Sequence, residues 1–182
     1  TLFDNPLLGV LTGALLTAVI QSSSASVGIL QALSSTGAIS IGMSIPIIMG
    51  QNIGTCVTAL ISSVGTTRNA RRASVVHLCF NVIGTLIILI AFCIVRAALD
   101  IAILGEGADQ FTIAICHTAF NILCTLIMLP CAGLLEKLSM KLVPDPKGAD
   151  TKETFNELDE RLMITPAVAI ERCRVVTGKM AS

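Results

Sequence analysis

Charged side chains are scarce in the first 134 of the 182 residues. Residues 135–182 hold eight of the twelve acidic and eight of the twelve basic side chains, so only four of each precede them. Charged residues make up 13% of the chain, against roughly 25% in a typical globular protein. Because 53% of the residues are hydrophobic, the composition predicts a membrane part, residues 1–134, followed by a water-exposed tail.

Side chains that would indicate other functions are also absent. No Asp or Glu lies between Asp4 and Asp100, which disfavours a proton relay built on carboxylates, although His77 and His117 leave a proton-coupled alternative open. A net charge of zero gives no indication of a nucleic-acid partner. The seven cysteines form no C-x-x-C pair, and no G-x-S-x-G motif indicates a serine hydrolase. We therefore expect neither enzymatic activity nor a cofactor.

Two polar clusters interrupt the apolar runs. Gln21-Ser22-Ser23-Ser24 lies within residues 6–33, and Gly50-Gln51-Asn52-Ile53-Gly54-Thr55 lies within residues 45–64, which also contain Pro46. Polar groups at membrane depth are costly unless they pack against protein or line a polar cavity. Short apolar segments interrupted by Gly or Pro are typical of a transporter's binding site. We therefore predict an all-α integral membrane protein in which both segments are broken or re-entrant helices.

The two clusters carry the groups needed to hold a small anion together with Na⁺. Hydroxyls can donate to an oxyanion and offer oxygen to a cation. A helix break adds free N–H groups that suit an anion and free carbonyls that suit Na⁺. Since no charged side chain lies nearby, a co-bound cation would balance the anion. We expect substrate ligands among Gln21, Ser22, Ser23, Ser24, Asn52 and Thr55, and ligands of Na⁺, the coupling ion, among Gln21, Ser22, Ser23, Asn52 and Thr55.

Two uninterrupted apolar stretches, residues 73–95 and 111–134, are each long enough to cross a bilayer, which takes about 20 residues. The loop at 65–72 carries three arginines. The positive-inside rule therefore places that loop and residues 135–182 in the cytoplasm. We predict a linker over residues 135–150 and a helical segment over 151–182.

The two stretches share a repeat at an offset of 40 residues, in which His77, Asn81 and Thr85 correspond to His117, Asn121 and Thr125. Each trio shares one helix face. Such a face either supports a transport site or forms interhelical hydrogen bonds, and the second interpretation is favoured because such polar contacts are common in membrane bundles. We therefore expect a structural role for His77, Asn81, His117 and Asn121.

Four stretches resemble the second half of the bacterial sodium/phosphate cotransporter family, which is related to the type II animal phosphate cotransporters. They are Gln21-Ser22-Ser23-Ser24-Ala25-Ser26, Pro46 to Thr55, Thr67-Arg68-Asn69-Ala70-Arg71-Arg72-Ala73, and His77-Leu78-Cys79-Phe80-Asn81. The tail, from Leu158 through Pro166 to Arg172, is similar to the start of the PhoU-like helical domain of bacterial members.

The resemblance implies a pair of inverted repeats in a multi-pass protein of the plasma (inner) membrane, with phosphate and Na⁺ between the repeats. Only one Gln-Ser-Ser-Ser motif is present, so we expect this chain to be one half, partnered in the lipid bilayer by an N-terminal repeat outside the sequence. The implied function is sodium-dependent phosphate symport. Two alternatives stay open: a sodium-coupled carrier of a carboxylate or amino acid, and a non-transporting membrane anchor for a phosphate-signalling domain.

Overall fold

The computed structural model describes residues 5–99, 101–145 and four positions near the C-terminus, 170, 173, 174 and 177. Residues 1–143 and residues 144–182 form two separate compact units, and the fold described below is that of the first. The predicted PhoU-like segment, 151–182, lies outside the described residues apart from those four positions. Within the described residues of the first unit lie α1 (Pro6–Ile20), α2 (Ser23–Ser34), α3 (Ile41–Ser62), α4 (Arg68–Ala98), α5 (Gln110–Met128) and α6 (Ala132–Leu142).

The first two helices form a re-entrant hairpin. At 15 residues, α1 extends about 22 Å, which is too short to cross a hydrocarbon core of about 30 Å. It ends where Gln21 takes a left-handed conformation with φ of 56°, and Ser22 then caps α2. The chain reverses there, because the Thr17 hydroxyl donates to the Ser26 hydroxyl across the break at 2.7 Å. The predicted helix break at the Gln-Ser-Ser-Ser cluster is therefore confirmed.

The hairpin enters and leaves at the end of the molecule where α3 begins. Gly9 lies against Pro46 and Gly54 lies against Thr17, so α1 and α3 run parallel. On the return path, Gln31 of α2 donates to the Gln110 carbonyl at the start of α5 at 3.0 Å. The turn before α3 also pairs with the segment before α5, since the Ala108 N–H donates to the Ile39 carbonyl at 2.9 Å.

Two glycine pairs bring α1 and α3 into backbone contact. Gly9 and Gly13 face α3, and Gly50 and Gly54 face α1. A methyl group placed on Gly54 would lie 2.6 Å from the Ala14 carbonyl oxygen, and one placed on Gly50 would overlap the Val10 carbonyl. Small residues spaced four apart are the usual means by which membrane helices approach this closely.

The predicted second break, at Gly50–Thr55, is wrong: α3 is one continuous helix from Ile41 to Ser62. The polar side chains there bond their own helix instead of a broken backbone. The Asn52 amide donates to the Ile48 carbonyl at 3.0 Å, and the Thr55 hydroxyl donates to the Asn52 carbonyl at 2.6 Å. The glycines serve close packing against α1 and not unwinding.

Among the residues that the structure describes, three segments are long and apolar enough to cross a membrane: α3, α4, and the stretch from α5 through α6, Gln110–Leu142. The last two extend beyond the predicted spans. Arg68, Arg71 and Arg72 lie in the first turns of α4 and not in a loop, because Thr67 caps the helix immediately before them. Residues 135–142, predicted to belong to a linker, are part of α6, which follows a short 3₁₀ turn at Pro130. Within α6, Leu135 and Ser139 are buried.

Candidate functional site

The hairpin tip, Gln21–Ser24, places a set of hydroxyl and amide groups at the N-terminus of α2. Ser22 accepts a hydrogen bond from the Ala25 N–H at 3.3 Å, and its hydroxyl lies 3.3 Å from that of Ser24. Ser22 is half-buried, whereas Gln21, Ser23 and Ser24 are exposed. Ser23 makes no side-chain hydrogen bond within residues 5–99 and 101–145. The tip therefore retains donor and acceptor capacity for a ligand.

A buried polar network lies directly behind the hairpin tip. Thr17 and Ser26 are both fully buried and share the hydroxyl–hydroxyl bond that closes the hairpin. Gln51 of α3, only 1% exposed, donates its amide Nε2 to the Ser26 carbonyl at 3.0 Å. That bond fixes the amide orientation, and its Oε1 is buried without a hydrogen-bond partner. An unpaired buried oxygen acceptor is costly and suits a cation.

Asn52 and Thr55, the two residues predicted on α3, are half-buried. Their side chains bond the backbone of α3, and within the described residues no hydrogen bond joins either of them to Gln21–Ser24. The link between the two clusters is Gln51 with Thr17 and Ser26.

Thr17, Ser26 and Gln51 were not among the site residues predicted from the sequence. Two G-x-x-x-G motifs, Gly9–Gly13 and Gly50–Gly54, contain the missing signal, because such motifs mark the contacting faces of membrane helices. Gln51 lies next to the contacting Gly50.

The two His-Asn-Thr faces have different surroundings. Asn81 and Thr85 of α4 are buried, and Thr85 approaches the Met49 carbonyl of α3 at 3.5 Å. Asn121 and Thr125 of α5 are exposed on the described chain. Both asparagines donate to the carbonyl four residues earlier, Asn81 at 3.0 Å and Asn121 at 2.8 Å. The two asparagines make the same intrahelical bond but differ in burial, so each serves as a control for the other.

We expect Asn81→Ala to lower the melting temperature of the intact protein and Asn121→Ala to leave it nearly unchanged. Both variants lose the same intrahelical bond, but only the first loses it at a buried side chain, where the truncation also leaves a void, at a cost of roughly 1–3 kcal/mol. Thermal unfolding, followed by the reactivity of the protein's own cysteines toward a thiol label, measures both melting temperatures. Equal destabilisation by the two variants would contradict a structural role limited to the α4 face.

Within the described residues, no group of three or more His, Cys, Asp or Glu side chains is positioned to hold a metal ion. The ligands available near the tip are neutral oxygens of hydroxyls, amides and carbonyls. Such oxygens suit a weakly held hard cation, and the adjoining N-terminus of α2 suits an anion.

Comparison with known proteins identifies the family. Residues 1–115 match the family described as Na+/Pi-cotransporter, and this stretch includes the hairpin, α3 and α4. The chain belongs to the Na+/Pi-cotransporter family. It is therefore a membrane-embedded member of a transporter family, as the sequence predicted.

The family includes bacterial and animal relatives. Uncharacterized protein YqeW of Bacillus subtilis (strain 168) is 31% identical over 141 residues, which cover 78% of this chain and 45% of YqeW. Sodium-dependent phosphate transport protein 2A of Rattus norvegicus is 40% identical over 94 residues, covering 48% of this chain and 15% of that protein. Sodium-dependent phosphate transport protein 2B of Homo sapiens is 40% identical over 95 residues, covering 49% of this chain and 14% of that protein. The chain thus spans less than half the length of these curated relatives, and no solved structure matches it.

Proposed function

We propose that this Na+/Pi-cotransporter family member forms one half of a symporter that carries phosphate across the plasma membrane together with Na⁺. Relatives named as sodium-dependent phosphate transport proteins support the substrate. The observation that carries the proposal is the unpaired, buried Oε1 of Gln51, which lies behind a hydroxyl-rich helix N-terminus. The Gln51 oxygen would coordinate a cation, and the helix N-terminus with its hydroxyls would donate hydrogen bonds to an anion.

The anion part of the site is the hairpin tip. The partial positive charge at the N-terminus of α2 and the hydroxyls of Ser22, Ser23 and Ser24 would hold phosphate oxygens. Gln21 would contribute its amide. Because three of these four residues are exposed on this chain, we propose that a second repeat covers them and completes the phosphate site.

The cation part combines Gln51 with neighbouring oxygens. Thr17 and Ser26 provide buried hydroxyls, and the helix break at Gln21 provides backbone carbonyls, while Asn52 and Thr55 remain candidate ligands farther along α3. No Lys or Arg occurs before Arg68, so bound Na⁺ would be the positive charge that offsets phosphate at this depth. This gives a physical reason for coupling, since either ion alone would leave an uncompensated charge in a low-dielectric site.

The orientation follows the arginines at the start of α4. The positive-inside rule favours a cytoplasmic location for Arg68, Arg71 and Arg72 at that end of the helix, together with the end of α6. The hairpin then enters from the outer side, and its tip points inward.

Gln51→Met in the intact protein tests the coupling. Methionine has a similar length and no oxygen acceptor, so the Na⁺ concentration for half-maximal phosphate uptake should rise about tenfold or more, as expected for losing one ligand of a charged group. Uptake at saturating Na⁺ should largely survive. Labelled phosphate uptake into vesicles at graded Na⁺, with choline as replacement, measures the shift.

Gln31→Met is the matched control, because the Gln31 amide also donates to a distant backbone carbonyl at 3.0 Å. It should leave the Na⁺ dependence unchanged. Equal uptake by the wild-type protein in choline and in Na⁺ would refute sodium coupling altogether. A Na⁺ dependence that Gln51→Met does not alter would refute only the role of Gln51.

A further inference from the structure

A cavity of about 430 Å³ lies at the end of the first unit that is remote from the hairpin's entrance. It is formed where α3 ends, α4 begins and α6 ends. Its lining residues are Leu60, Ser63, Val64, Gly65, Arg71, Val75 and Val143. None of the residues proposed to hold phosphate or Na⁺ lines it, so it is separate from that site.

The walls of this cavity are apolar, with one cation at the edge. Leu60, Val75 and Val143 form the interior, and Val143 is buried. Arg71 is exposed, and its guanidinium makes no hydrogen bond or ion pair with residues 5–99 or 101–145. The neighbouring Val64 is 80% exposed and Ile61 is 55% exposed, so the rim beside the end of α3 is also apolar.

The charge around the cavity is positive on balance, because Lys141 and Asp145 beside Val143 offset each other and α4 begins with three arginines. Arg68, Arg71 and Arg72 occur within five residues, and residues 5–99 contain no Asp or Glu. These arginines occupy the start of the 31-residue α4, where the helix dipole adds further positive potential. Arg72 also ties α4 to the end of α6, because its Nε donates to the Val143 carbonyl at 3.0 Å. One of the three arginines therefore also holds the cavity wall in place.

We propose that this cavity binds the phosphate headgroup of an anionic phospholipid from the adjoining leaflet. The cavity lies at the level where three membrane-spanning segments end, which is the depth of lipid headgroups. Basic pockets between membrane helices at this depth are suited to anionic lipids. Arg71 would pair with the phosphodiester, while Leu60, Val64 and Val75 would contact the glycerol and upper acyl chain.

A lipid fits better than free phosphate, although both offer the same anionic oxygens. Inorganic phosphate would gain nothing from the apolar walls and would keep several oxygens without donors. A phospholipid would bury acyl carbons against the valines and leave its remaining headgroup oxygens in water.

Native mass spectrometry of the intact protein can test the proposal by titrating phosphatidylglycerol in neutral detergent, with phosphatidylcholine as the reference lipid. Arg71→Gln should weaken phosphatidylglycerol binding about fivefold, the effect expected for one basic residue at an anionic surface. Val75→Phe should weaken it as well, because phenylalanine fills the cavity without changing charge. Arg96→Gln, near the other end of α4, removes the same charge and should have no effect.

Three results would overturn the proposal. The first is equal weakening by Arg96→Gln and Arg71→Gln, which would mean that binding follows overall charge. The second is unchanged binding in Val75→Phe. The third is displacement of phosphatidylglycerol by millimolar inorganic phosphate, which would assign the cavity to the transported ion. Since phosphate uptake is not the readout, failure here leaves the transport proposal unaffected, and failure of transport leaves this one unaffected.

Discussion

Gly50→Ala should severely destabilise the protein, although alanine normally stabilises a helix over glycine by about 1 kcal/mol. The added methyl group would overlap the Val10 carbonyl and would lie 2.8 Å from the Ala14 nitrogen. Both are backbone atoms of α1, so no side chain can rotate away. The cost should exceed the roughly 1–3 kcal/mol typical of an overpacked core. We expect a large fall in melting temperature and loss of phosphate uptake by the intact protein.

Gly28→Ala is the control for this substitution. Gly28 also lies within a helix, α2, but a methyl group there would meet no atom within 4 Å. Helix propensity should therefore dominate, and the melting temperature should stay constant or rise. If Gly50→Ala proves as stable as Gly28→Ala, the close contact between α1 and α3 is not a feature of the protein in the membrane.

Ser23→Ala should reduce phosphate uptake roughly tenfold to a hundredfold with little change in stability. Hydrogen bonds to charged groups contribute about 1.5–3 kcal/mol, and each 1.4 kcal/mol corresponds to a factor of ten. Ser23 makes no side-chain hydrogen bond within the described residues, so its loss should not disturb the fold. Initial rates of labelled phosphate uptake, normalised to the amount of folded protein, measure the effect.

Two comparisons make this result interpretable. Ser22→Ala should lose uptake and also about 1 kcal/mol of stability, because Ser22 caps α2. Ser62→Ala removes an exposed hydroxyl at the far end of α3 and should change neither quantity. Normal uptake in Ser23→Ala would argue that the serine cluster serves only to terminate α1 and start α2.

The sequence predicted the hairpin break because its residues have few structural alternatives. A serine after a long apolar run is a strong helix cap, and Gln21 is followed by three of them. The spans formed by α4 and by α5 with α6 were equally predictable from apolar length, whereas α3 was predicted to be broken. Their ends were not, since a cap such as Thr67 adds turns to α4 that carry arginines, and hydropathy does not register caps.

The α3 cluster shows why the rest could not be predicted in the same way. Glycine permits an unwound backbone and also permits close helix contact, and local sequence does not separate these uses. The choice depends on what lies opposite, which here is the backbone of α1. The same partner buries Gln51, so its importance became visible only once the two helices were placed together.

The dependence of the hairpin on α3 also constrains biosynthesis. Residues 5–34 are synthesised before α3, and α1 is too short to be held as a spanning segment. Its glycine face has nothing to pack against until Gly50 and Gly54 have been made. The order of synthesis therefore differs from the order of assembly. We therefore expect the hairpin to dock only after α3 has been made, with the arginines at the start of α4 orienting the helices that receive it.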